Sequence, residues 1–140
     1  SALDVSIKAQ IINLLQELQQ KLKLTILFIS HDLGVIKHIC NRILVMYLGN
    51  IMELGAKKTI YSDPLHPYTK ALLSAVPVAN PELEKAKVIQ LLEGELPSPV
   101  NPPHGCVFHT RCPLASEACS QSRPADKIVR EHSVSCFKVN

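Results

Sequence analysis

The sequence predicts an α/β fold with a small cysteine-rich appendix. Three observations carry that expectation: a helical apolar period over residues 5–22, the β-branched run "LTILFIS" that follows it, and four cysteines gathered beyond residue 105. From Val5 to Leu22 the apolar positions Ile7, Ile11, Leu14, Leu15, Leu18 and Leu22 recur at three- and four-residue steps, which predicts an amphipathic helix with one buried stripe, capped by Asp4 or Ser6. "LTILFIS" is short, continuous and apolar, the pattern of a strand covered on both faces in a parallel sheet. It ends at Ser30, His31 and Asp32, and Asp32 is placed to cap a second short helix running to Ile39.

"RILVMYLGNIMELG" predicts a hairpin turning at Leu48, Gly49 and Asn50. After Gly55 the texture changes. "KKTIYSDPLHP" reads as a polar turn, and a helix from about Tyr68 to Val76 follows one proline and stops before another. Four prolines between Pro97 and Pro103 make the next stretch extended or turned. We therefore expect a boundary between residues 1–55 and an appended region, 56–140. The first part is expected to be incomplete, because a buried parallel strand needs parallel neighbours and no strand candidate precedes "LTILFIS".

Composition restricts the function classes. With 46% apolar and 19% charged residues in a chain of 140, the sequence reads as a folded domain. The net charge of +3 is dispersed and few aromatic side chains are available to stack on bases, so no nucleic-acid partner is expected. The start "SALDVSIKAQ" lacks signal-peptide order and no apolar run is long enough to span a bilayer, which points to the cytosol. There thiols are kept reduced, so clustered cysteines suggest a metal site rather than a disulfide framework.

The candidate ligands are Cys106, Cys112, Cys119 and Cys136, separated by five, six and sixteen residues. Four thiolates suit tetrahedral zinc or an iron-sulfur cluster, and these gaps fit neither the usual zinc pairs nor compact ferredoxin runs. Spacing alone leaves the metal open. Ligands drawn from separate loops, and the Cys112–Pro113 step, favour a cluster. Arg111 and Lys138 are placed to offset its charge, Cys40 reads as a small apolar residue, and Tyr68 as a helix anchor. His66, His104, His109 and His132 read as polar surface residues, with His109, between two cysteines, nearest to being a ligand.

"SALD" before an amphipathic helix, then "TILFISHDLGVI" and "ILVMYLGNIMELG", resembles the C-terminal third of an ABC transporter nucleotide-binding domain of P-loop NTPase type. "DPLHPYTKALLSAVP" with "GELPSPVNPPHGCVFHTRCPLASEAC" resembles the ATPase subunits of oligopeptide and dipeptide importers, whose relatives also import nickel or glutathione. The resemblance implies that Ser1, Ala2, Leu3 and Asp4 form the D-loop near the ATP site at the dimer interface, and that His31 is the switch histidine contacting the γ-phosphate. An imidazole suits that task because one nitrogen donates to phosphate while the other is held by a partner. It further implies ATP and Mg²⁺ in the parent protein, and a four-iron, four-sulfur cluster at the four cysteines, with Zn as the alternative. Implied partners are a second identical or homologous ATPase subunit, membrane permease subunits and, indirectly, an extracytoplasmic peptide-binding protein, with the ATPase peripheral at the cytoplasmic face of the membrane.

The 140 residues contain no G-x-x-x-x-G-K-[ST] loop, glycine-rich signature, magnesium aspartate or catalytic glutamate. On the resemblance the chain is expected to be a piece of a larger ATPase, inactive alone and prone to self-association through apolar surface. Two function classes stand: part of an energy-coupling ATPase subunit, or a stand-alone metal-binding structural or interaction module. An in-frame upstream phosphate loop would separate them. The cluster's expected role is structural, with redox or iron sensing as the sharper alternative.

Overall fold

In a computed structural model of the chain, residues 5–77 and 81–140 are described. The predicted D-loop, Ser1 to Asp4, lies outside them. The chain divides into two units, Ser1–Cys40 and Asn41–Asn140.

In the first unit, helix α1 spans Val5–Leu22, the predicted range. Helix α2 spans Leu33–Ile39 and is capped by Asp32, whose carboxylate accepts the Val35 N–H at 3.1 Å. Asp32 also pairs with Lys8 at 2.9 Å, and the lysine's hydrogen bond, aided by the Val35 N–H, holds its carboxyl below the usual range. Two expectations fail. The α1 stripe is not buried: Ile7, Ile11, Leu14, Leu18 and Leu22 are all exposed, because within this unit only the short α2 packs on α1. "LTILFIS" forms no strand, since no described segment pairs with residues 24–30, and a strand exists only where neighbours satisfy its N–H and C=O groups. Leu27 and Ile29 are 89% and 88% exposed.

The second unit is built on an antiparallel four-stranded sheet in the order β1-β2-β4-β3. Strands β1 (Arg42–Tyr47) and β2 (Asn50–Ala56) form the predicted hairpin. Leu48 and Gly49 both take positive φ, 45° and 73°, the type I′ geometry that matches strand twist, and the Asn50 side-chain amide donates to the Leu48 carbonyl at 2.7 Å. Ile43, Val45 and Tyr47 alternate onto the buried face of β1. Strands β3 (Lys127–Val129) and β4 (His132–Val134) form a second hairpin, turning through Arg130 and Glu131, also at positive φ, and β4 pairs with β2. The sequence pass did not anticipate this pair, whose three-residue strands are too short to show a period.

Helix α3 (Lys57–Ser62) occupies a stretch expected to be a turn, and Ile60 buries against Gly55. Helix α4 (Pro67–Ser74) begins with proline in its first turn, as expected. Helix α5 (Pro81–Ala86) was not anticipated. From residue 87 through the proline-rich stretch there is no helix or strand until a 3₁₀ turn at His109–Arg111 and helix α6 (Glu117–Gln121). The fold is mixed helix and strand, and among the described residues its sheet pairing is antiparallel rather than parallel.

Candidate functional site

Cys106 and Cys119 are buried in one core cluster with Cys112 packed against it, and Cys136 is buried in a second with Leu65 and Val134. Gly105 makes the first approach possible: its φ is +75°, and a Cβ there would lie 2.5 Å from the Cys119 carbonyl oxygen and 2.7 Å from that of Ser120. Two backbones therefore touch, and the Cys106 N–H donates to the Cys119 carbonyl at 2.8 Å. Cys106, Val107, Phe108 and Cys119 are buried with Tyr47 and Met52, and Cys112 and Tyr68 pack on this cluster. Phe108 packs edge-on against Tyr47 at 5.3 Å and tilted against Tyr68 at 5.2 Å, so the first hairpin, α4 and the cysteine loop share one aromatic contact set. Cys136 is buried just past β4.

All four thiols are free, and each has a hydrogen-bond partner at sulfur. The backbone N–H groups of Phe108 and His109 point at Cys106, that of Leu114 at Cys112, and that of Lys138 at Cys136, 3.4 Å away; the Ser116 hydroxyl lies 3.6 Å from the Cys119 sulfur. Such donors favour a charged sulfur. Burial acts more strongly in the opposite sense and pushes the Cys106 and Cys112 thiols up, and the other thiols of the set raise them further. Buried sulfurs supplied with N–H donors, and close enough to feel one another's charge, are a donor set suited to a cation that neutralises them. Among the described residues, no three His, Cys, Asp or Glu side chains stand close enough together to hold a metal ion.

Arg111 does not face the sulfurs as a free charge. Its guanidinium donates to the carbonyls of Leu92 and Glu93 at 3.2 and 3.3 Å and ties the proline-rich stretch to the cysteine loop. His109 donates from Nδ1 to the Cys106 carbonyl at 2.8 Å, and His104 from Nδ1 to the Ser120 carbonyl at 3.1 Å, so both brace the loop through its backbone. Cys40 is half-buried at the end of α2.

His66 and His132 are not surface residues; each is 1% exposed. They flank Glu53, which is fully buried at 0% exposure, on β2. One Glu53 oxygen accepts the Leu65 N–H at 2.9 Å and meets His132 Nδ1 at 2.6 Å, and the other accepts the His66 N–H at 3.0 Å. A carboxylate so supplied can be buried because partners replace the water it loses. His66 Nδ1 accepts the Tyr68 N–H at 3.0 Å, capping α4, and its ring also hydrogen-bonds the Ser135 backbone. Burial lowers its pKa to about 4, so the ring is neutral near pH 7. Sequence reasoning missed this centre; its one visible signal was a lone carboxylate inside the apolar strand "NIMELGA".

His31 sits in the bend before α2 with its side chain exposed. The bend is fixed beside it, where the Ser30 hydroxyl oxygen accepts the Asp32 N–H at 3.0 Å. No described helix is long and apolar enough to cross a membrane.

Comparison with known proteins gives one consistent result. The family "Oligopeptide/dipeptide transporter, C-terminal region" matches residues 52–119. The chain is 61% identical over 140 residues to the oligopeptide transport ATP-binding protein OppF of Escherichia coli K12, covering 100% of this chain and 42% of that protein. It is 58% identical over 140 residues to OppF of Haemophilus influenzae, covering 99% of this chain and 42% of the relative. It is 61% identical over 124 residues to the putative oligopeptide transport ATP-binding protein YkfD of Bacillus subtilis, covering 89% of this chain and 38% of the relative. The chain thus spans about two fifths of the length of these relatives. Residues 52–119 carry the oligopeptide/dipeptide transporter C-terminal region, and the whole chain is similar to part of the oligopeptide transport ATP-binding proteins.

Proposed function

We propose that the chain serves as the C-terminal part of the ATP-hydrolysing, energy-coupling subunit of an importer for oligopeptides or dipeptides. The observation that carries this reading is 61% identity along the whole chain to an oligopeptide transport ATP-binding protein. In that role residues 1–55 complete a nucleotide-binding domain and residues 56–140 form its appended region. His31, exposed at a fixed bend, contacts the γ-phosphate of ATP. Ser1 to Asp4 lie at the interface with a second ATPase subunit. Mg²⁺ and the phosphate cradle belong to residues outside these 140, which hold no phosphate loop. The subunit works at the cytoplasmic face of the membrane against permease components. Grafting this chain onto the N-terminal part of E. coli OppF tests the proposal. The chimera is expected to support peptide uptake and ATP hydrolysis, and His31→Ala to reduce turnover at least about 100-fold, the scale of losing one donor to developing charge. A folded His31→Ala chimera that hydrolyses ATP as fast as the unsubstituted one refutes the role of His31.

The same reading gives the four cysteines a four-iron, four-sulfur cluster, held by Cys106, Cys112, Cys119 and Cys136. When bound, the cluster would cross-link the cysteine loop to the segment after β4 and supply one-electron chemistry. Zinc is the alternative, a single tetrahedral ion held by the same four thiolates with bonds of about 2.3 Å. Anaerobic purification with iron, sulfide and zinc analysis decides. About four irons and four sulfides per chain are expected, falling on Cys→Ser substitution at any of the four, whereas one zinc per chain would replace the cluster with a structural ion.

A further inference from the structure

We propose that the Ser116 hydroxyl donates a hydrogen bond to the Cys119 sulfur and thereby tunes the four-cysteine metal site, an inference that rests on the metal reading above. Ser116 stands at the N-cap of α6 in extended conformation, where a serine ordinarily turns its oxygen onto the amides of the first turn. Here it makes no such cap bond. Its Oγ lies instead 3.6 Å from Cys119 Sγ.

The reason lies in how the four sulfurs obtain their donors. Cys106, Cys112 and Cys136 each sit in a turn whose amide two residues later points back at sulfur: Phe108, Leu114 and Lys138. Cys119 lies inside α6, and helical amides point along the axis toward carbonyls of the preceding turn. The amide two residues on is therefore turned away from its sulfur, and the Cys119 N–H is itself given to the Ser116 carbonyl at 2.9 Å. A side chain takes the place of the missing amide. A metal-bound thiolate carries no proton, so in the loaded site the hydroxyl is the donor.

Of the donors named here, the Ser116 hydroxyl is the one on a side chain, so it can be removed by mutation without altering the backbone. Hydrogen bonds to sulfur favour the more negative, reduced state of a cluster and raise its potential. Because the hydroxyl does not cap α6, Ser116→Ala takes no helix-cap bond with it. Ser116 is thus a positioning and tuning residue, not a ligand.

The test uses the full chain with Ser116, Ser116→Ala and Ser116→Thr, purified without oxygen. Iron and sulfide are counted, and the cluster is titrated with dithionite and followed by electron paramagnetic resonance. Equal iron content is expected in all three, with the Ala variant harder to reduce by up to about tenfold, ~59 mV for one electron, and Thr restoring the potential. An unchanged potential in the Ala variant overturns the role of Ser116 while leaving the cluster intact. If the wild type holds zinc, cobalt(II) exchange reads the same bond: a shifted sulfur-to-cobalt charge-transfer band in the Ala variant supports it and an unshifted one refutes it. No metal in the wild type overturns the metal reading, and this inference with it.

Discussion

His66 is held neutral by its surroundings, and this has a measurable effect on stability. Its pKa falls to about 4 chiefly through burial, against the opposing pull of Glu53 and of its bond to the Ser135 backbone. In the unfolded chain the ring titrates near 6.5. Between pH 6.5 and 4 the unfolded state therefore binds the extra proton, and folding stability declines as pH falls through that window. The full loss is about 3 kcal/mol, an order-of-magnitude figure from the shift at 1.36 kcal/mol per pH unit. Denaturant titrations at pH 7, 5.5 and 4.5 are expected to show this slope, and His66→Gln to flatten it at a cost in stability at pH 7. An equally steep decline in the Gln variant would assign the acid sensitivity to another group.

At the scale of elements, Glu53 is the joint between the two hairpins and α4. It takes the Leu65 and His66 amides that lead into α4 and meets the ring of His132 on β4, while it stands on β2 itself. Register continues past β4, where the Ser135 N–H donates to the Met52 carbonyl at 3.0 Å and the Ser135 hydroxyl bonds Asp126. Cys136 is the next residue, so its sulfur is placed by the β2–β4 pairing. The "HPY" triplet has three jobs in that arrangement: His66 caps α4 and reaches Ser135, Pro67 starts the helix, and Tyr68 packs on Tyr47 and Phe108 beside the cysteine loop. Removing one partner from a buried ionisable set costs about 3–5 kcal/mol. The sheet and the placement of Cys136 thus stand or fall together.

Over the whole molecule the two units differ in how they treat apolar surface. Residues 41–140 bury an aromatic and cysteine core. In residues 5–40 the α1 stripe stands exposed along with Leu27 and Ile29, side chains that lower the free energy by about 25 cal/mol for each Å² removed from water. Self-association of the isolated chain follows. Light scattering from micromolar to millimolar concentration is expected to show mass rising with concentration, and Leu27→Lys with Ile29→Lys to weaken that rise. A monodisperse monomer throughout the range would contradict it.

The local elements were legible because their causes are local. The α1 period, the Asp32 cap, the type I′ turn at Leu48–Gly49 and the proline opening α4 each depend on residues within a few positions of one another. The four cysteines could be singled out as a set, and the importer resemblance could be read from the sequence alone. Whether "LTILFIS" is a strand was not legible, because a strand is a relation to a partner and no described segment supplies one. The burial of His66 and His132 was equally hidden, since it depends on a carboxylate 13 and 79 residues away. Tertiary structure alone decided that Glu53 would gather them and that Gly105 would lie against Cys119. Each is a contact between groups whose partner and distance only the folded chain sets, whereas caps, turns and periods are written in neighbouring residues.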